Sequence, residues 1–241
     1  MIRLLSFVSM LALWQVAALF SDPRHLPGPF PVALAILDEA QGGDLFTHLG
    51  ATLARVAASF TLAMLIGSAL GYWMGRDRNV DKFLDPWLVA LLNLPALVVI
   101  VLAYVWAGLG EPAAIGAVAL NKLPGAMVLA REGARAQDPQ LDEMARAFRL
   151  SWRARFEHLM LPQLAPYLAA ATRSGLSLVW KIVLIVELLG RPNGVGFKIY
   201  MAFQLFDVRL LLAYALPFVG LMLAVETFVV QPFERRVSRW R

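Results

Sequence analysis

Six stretches of this 241-residue chain are apolar over about the length of a membrane crossing, and that feature limits what it can fold into. A helix rising ~1.5 Å per residue needs about 20 residues to cover a ~30 Å hydrocarbon layer. The stretches are 4–20, 47–74, 86–109, 112–131, 164–189 and 208–232, and only the first, at 17 residues, falls short. With 59% of residues apolar and 16% charged, a soluble globule of this size has too little interior to hide them. The chain therefore reads as an all-α membrane protein of about six transmembrane helices. Disorder, a coiled coil and a disulfide-stapled secreted domain are excluded. Without cysteine there are no disulfides, thiolate metal sites or cysteine nucleophile. Arg3 and the small residues Val16-Ala17-Ala18 also give the first stretch some features of a signal peptide, but a span is the preferred reading.

The excess of 22 Lys and Arg over 17 Asp and Glu points to nucleic acid only if the charges cluster for it, and they follow the loops instead. With the N-terminus inside, the inner segments (the N-terminus, 75–85, 131–161 and 234–241) carry fourteen Lys or Arg and the outer loops four. The positive-inside rule then places both termini in the cytoplasm. Outside lie Leu26-Pro27-Gly28-Pro29, expected to be extended because of its two prolines, and 190–207, expected to be a loop.

Ala63, Gly67, Gly71 and Gly75 recur every four residues, so one stripe of the second span lets another backbone approach closely. This is read as helix packing. Pro95, Pro112, Pro124 and Pro217 are read as bends. Six charges lie at membrane depth: Arg55, Lys122, Arg173, Lys181, Glu187 and Glu226. A central charge costs about 2.5–3.5 kcal/mol there, so each should snorkel, pair or face an aqueous path. Arg173 and Glu226 lie roughly 13 Å and 9 Å from the inner ends of their spans, close enough to form an ion pair. Lys181 and Lys122 are too deep to snorkel easily and are read as a positive lining of a pathway for an anion. Glu187 stands six residues from Lys181, on another helical face, which makes Arg55 its better partner.

Residues 138–162 are too polar for a span and too patterned for a floppy linker. Asp138 is a helix cap, Pro139 suits the first helical position, and Asp142 and Glu143 suit the positive end of the dipole. A second helix starts at Ser151, with Pro162 expected to limit it. Two short helices then meet near Arg149 and Leu150. They present Met144, Ala147, Phe148, Leu150 and Phe156 as apolar bumps on a basic face, a knob that needs a socket.

Glu143-Met144-Ala145, Arg149 six residues after Glu143, and Leu159, Leu161 and Pro162 follow the spacing of the "EAA" loop. In this the chain resembles the membrane subunits of binding-protein-dependent ABC importers. Leu26-Pro27, 52–75 with Arg55, Asp85-Pro86, Leu94-Pro95, Gly108-Leu-Gly110-Glu111, Trp180 with Glu187, Asn193-Gly-Val-Gly196 and Trp240 are similar to the nitrate, sulfonate and taurine group of type I importers. The resemblance implies a permease core over 46–233 with a coupling loop at 138–162. It is preceded by a first helix and outer extended segment in 1–45 and followed by a basic cytoplasmic tail at 234–241. It further implies a homodimer in the bacterial inner membrane, docked on two cytoplasmic ATPase subunits that use ATP and Mg, with a periplasmic or lipid-anchored solute-binding protein outside. Glu143, Ala145, Phe148, Arg149, Leu150 and Ser151 are the expected docking and coupling residues. Where the family pattern has glycine this chain has Arg149. A side chain disfavours positive φ, which points to a more open connection or to a turn that needs no such conformation.

The residues alone agree with that division of labour. No Gly-x-x-x-x-Gly-Lys-[Ser/Thr] loop is present, so no ATP hydrolysis or cofactor is expected in this chain. Gly194-Val-Gly196 lacks the rest of a dinucleotide fingerprint and is read as a turn. Three histidines, no His-Glu-x-x-His and no Gly-x-Ser-x-Gly leave hydrolase and zinc-enzyme readings without parts. An ion-coupled secondary transporter is the competing class, since buried charges also suit proton coupling. It has no need of a protruding two-helix knob.

Overall fold

In the computed structural model, residues 2–232 are described, and the basic tail read at 234–241 lies outside them. Every regular element among the described residues is helical. The chain divides into two compact units, one from the N-terminal residues up to Ala54 with Leu184–Leu223, the other from Arg55–Val183 with the residues from Ala224 on.

The second unit is organised by backbone approach. Helix α3 (Leu45–Arg76) lays its small-residue stripe on α6 (Glu111–Arg135), with Ala63 fully buried. A Cβ on Gly71 would enter the backbone of Met127, and one on Gly67 or Gly75 would collide with Ala126 or Ala134. Helix α4 (Arg78–Asn93) is started by Asp77, whose carboxylate accepts from the amides of Asn79 and Val80. Its Leu88 packs with Met74 and Met127. Two ion pairs fasten α4 to α6: Arg131 Nη1 lies 2.6 Å from Asp85 and Arg135 Nη2 lies 2.6 Å from Asp81.

The stretch read as one span at 86–109 is broken. Helix α4 ends at Asn93, α5 (Ala96–Ala107) leaves at 99°, and the break falls at Leu94-Pro95. Proline disfavours the helical conformation in the residue before it, so Leu94 is extended although the apolar pattern runs on unbroken. Among the described residues four helices are long and apolar enough to cross a membrane, and the bent pair makes up to five. Helix α1 (Ile2–Leu19) is a shorter apolar helix.

Pro162 does not stop its helix. From α8 (Trp152–Arg155) the chain passes through a π turn at Phe156–Met160 into α9 (Leu161–Gly190), a continuous 39-residue rod. Proline lacks an amide and crowds the carbonyl four residues back, and the wider π turn just before it absorbs that conflict. A second π turn, Glu226–Val230, follows α11 (Val208–Val225) and stands at the same spacing before Pro232.

In the first unit both segments expected to be irregular contain helices. Only the run up to Gly28 is extended. Pro29 takes the first position of α2 (Pro29–Gln41), where its missing amide costs nothing. The region 190–207 holds α10 (Val195–Gln204), which ends on Phe206 at φ +53°. Arg209 donates to the Pro31 carbonyl and Tyr214 donates to Glu39, tying α11 to α2.

Candidate functional site

Local capping builds the knob. Asp138 accepts from the amide of Gln140 to start α7 (Pro139–Ala147), and Ser151 Oγ accepts from the amide of Ala154 to start α8. Between them Arg149 sits at φ +48°. Its amide donates to the Arg146 carbonyl at 3.0 Å and the amide of Leu150 to the Ala145 carbonyl at 2.9 Å, the two bonds of a Schellman turn. The connection is therefore tight and left-handed, which corrects both expectations, a more open connection and a turn that needs no positive φ. Two terminal carbonyls are satisfied, and that outweighs a steric penalty of about 1–2 kcal/mol for a side chain in this conformation.

The turn sorts the expected docking residues. Ala145 is buried and seats α7, whereas Glu143, Phe148, Arg149, Leu150 and Ser151 are exposed, Phe148 at 74%. Trp152 is exposed as well, extending the apolar surface beyond the residues singled out from sequence.

A joint that sequence reasoning did not identify holds this knob. Asp142 accepts from Arg76, the last residue of α3, and from Arg155 of α8 at 2.9 Å. Burial by itself would raise the Asp142 carboxyl, but the hydrogen bonds and charges of Arg76 and Arg155 outweigh it and hold the group below the ordinary carboxylate range. The amide of Asp138 also donates to Gln163 Oε1 at 2.8 Å. Knob, α3 and α9 thus share one set of polar contacts. The sequence signal was Asp142 thirteen residues before Arg155, but Arg76 is distant in the chain.

Lys122 and Lys181 part company. Lys181 is exposed on α9, while Lys122 on α6 is 2% exposed and lines a cavity of about 360 Å³. Arg173 Nε stands 3.8 Å from Glu226 Oε1, both side chains partly exposed. Arg55 is buried and forms a two-pronged pair with Glu111, at 2.9 Å from Nε and 2.6 Å from Nη2. Glu111 opens α6 and was not among the residues read as lying at membrane depth.

In the first unit Glu187 is fully buried and accepts from Thr52 Oγ1 and from the amide of Gly196, both at 2.9 Å. Thr52 Oγ1 in turn accepts from the amide of Val195, and His48 Nδ1 accepts from the amide of Gly194. Gly194, at φ +111°, lies directly against the carboxylate, so Asn193-Gly-Val-Gly196 is the capped start of α10. Among the described residues no cluster of metal-ligating side chains occurs.

Residues 45–239 match the family described as "binding-protein-dependent transport system inner membrane component". A putative aliphatic sulfonates transport permease protein, SsuC of Bacillus subtilis, is 28% identical over 96% of this chain and 84% of its own. The nitrate import permease protein NrtB of Synechocystis is 26% identical over 81% of this chain and 74% of its own. The bicarbonate transport system permease protein CmpB of Synechococcus elongatus is 28% identical over 85% and 77%. Among solved structures, an inward-facing MetNI methionine ABC transporter superposes with a TM-score of 0.70 at 18% identity, covering 83% of this chain and 99% of that one. This last likeness is one of fold.

Proposed function

The chain belongs to the binding-protein-dependent transport system inner membrane components, and on that premise we propose that it forms the translocation pathway of an ATP-driven importer for a small anion. It works as one of two copies in the bacterial inner membrane, with both termini in the cytoplasm. A periplasmic or lipid-anchored binding protein delivers solute, and two separate ATPase subunits, which hold ATP and Mg, supply the energy. The names of these relatives refer to aliphatic sulfonates, nitrate and bicarbonate, all anions, which supports the solute class.

The observation that carries this reading is the knob. A π-bulged rod 39 residues long and a nine-residue helix meet at a closed turn that projects Phe148, and Asp142 ties that turn to the end of α3. An exposed aromatic on a rigid, basic mount suits an aromatic-accepting cleft on a partner. Closure of two ATPases would push such a mount and move α3 and α9 together. Lys181, exposed on α9, lines the pathway in the assembled pair, and Glu143, Phe148, Arg149, Leu150 and Ser151 make the docking face seated on Ala145.

Reconstitution tests this directly. In proteoliposomes, uptake should require this chain, its cognate ATPase, the binding protein and ATP together. Uptake by this chain alone, driven by a proton or sodium gradient, would instead make it a secondary transporter.

A further inference from the structure

The break between α4 and α5 leaves a chamber whose chemistry is specific. Leu91, Leu92 and Leu94 from α4 and the bend, and Leu178 and Ile182 from α9, give it apolar walls. Two features make it positive. One is Lys122, almost completely buried about 17 Å along α6 from its start, and among the described residues it has no ion pair or side-chain hydrogen bond. Its side chain lies across Gly175, where any Cβ would collide with it, so the packing of α9 makes room for a lysine in this place. The other is the start of α5: Ala96 lines the chamber, and Pro95 supplies no side-chain cap, leaving first-turn amides and the positive end of a helix dipole there. A cation buried without a counter-charge is costly unless something negative shares the space. Ser174 Oγ and Asn121 Nδ2, the other polar side-chain donors on the wall, already donate to backbone carbonyls of their own helices.

We infer that this chamber is a transient station for a small aliphatic monoanion, a sulfonate or carboxylate. Lys122 and the α5 amides hold the head group, and Leu91, Leu92, Leu178 and Ile182 cover the alkyl tail. The inference rests on the permease reading and narrows it. A bare inorganic anion such as nitrate gains from the charge but leaves the apolar wall wet, whereas an alkyl tail covers it. A volume of about 360 Å³ suits a ligand of that size.

The test uses the purified permease–ATPase complex in phosphatidylcholine nanodiscs, titrated with methanesulfonate, butanesulfonate and nitrate. Affinity should rise about fourfold per added methylene. Lys122→Gln should weaken butanesulfonate on the order of 10- to 100-fold, and Lys122→Arg should restore most of it. Leu178→Phe, which narrows the tail space, should cost butanesulfonate about tenfold and leave methanesulfonate within about twofold, a reading that stands if the lysine variants fail to assemble. Butanesulfonate affinity unchanged in Lys122→Gln would mean partition into lipid and overturn the inference. So would nitrate binding as tightly as butanesulfonate, or indifference of butanesulfonate to Leu178→Phe. Displacement of butanesulfonate by adding phosphatidylglycerol to the discs would assign the chamber to a lipid head group and also overturn it. A chain that never assembles with an ATPase defeats the permease reading itself, a separate outcome.

Discussion

Asp142 offers the sharpest handle on how motion reaches the membrane helices. It receives two charge-assisted hydrogen bonds, from Arg76 and Arg155, and the three side chains are 15%, 31% and 24% exposed. Hydrogen bonds to charged groups contribute about 1.5–3 kcal/mol when shielded, and exposed ion pairs about 0–1 kcal/mol. At this intermediate burial, Asp142→Ala should cost about 2 kcal/mol in total, raising the detached population of α7 about thirtyfold. Hydrogen exchange over 139–147 in the intact complex should quicken by that factor, and ATP-driven uptake should fall while ATP hydrolysis continues. Swapping the charges, Arg76→Asp with Asp142→Arg, should recover part of the uptake. The acid dependence has a definite sign. Because the folded carboxyl lies below its ordinary value, the joint contributes fully above about pH 4 and is lost as pH falls through the lower, folded value. Unchanged exchange and unchanged uptake in Asp142→Ala would refute the idea that this carboxylate transmits force.

Other substitutions probe separate parts. Arg149→Gly should stabilise the knob by about 1 kcal/mol by relieving the left-handed conformation, and Arg149→Val should destabilise it by at least as much, read as protease resistance at 147–152. Gly71→Val should lower the thermal midpoint sharply, a loss of about 3 kcal/mol or more, because its Cβ meets Met127 backbone; Gly116→Ala, with nothing within 4 Å, should leave it level or slightly raised. Thr52→Val keeps the shape but removes the hydroxyl shared by Glu187 and Val195, so hydrogen exchange at the start of α10 should speed up by an amount worth about 1–3 kcal/mol.

Much of this site was legible because its determinants are local. Asp138 and Ser151 cap helices through residues two and three positions away, Pro139 suits the first helical position, and a four-residue repeat of small side chains suffices to forecast a close helix contact. What escaped the sequence depends on distance or on a competing local solution. The apolar pattern of 86–109 carries no information on direction, so the bend after Leu94 was hidden in a run that looks continuous. Pro162 reads as a stop by rule, yet a π turn accommodates it. Arg149 reads as unsuited to positive φ, yet two backbone hydrogen bonds hold it there. Glu187 meets Thr52 across 135 positions, and Arg76 meets Asp142 across 66, which no local pattern signals.

The central claim is that the turn between α7 and α8 seats in a separate motor. A photo-crosslinking residue at Phe148, introduced into a complex that imports solute in native membranes, measures this most directly. The account predicts an adduct between this chain and an ATPase subunit whose yield changes with ATP. Full solute import with no such adduct from 144, 148 or 152, and with all three positions open to a water-soluble label, would contradict it.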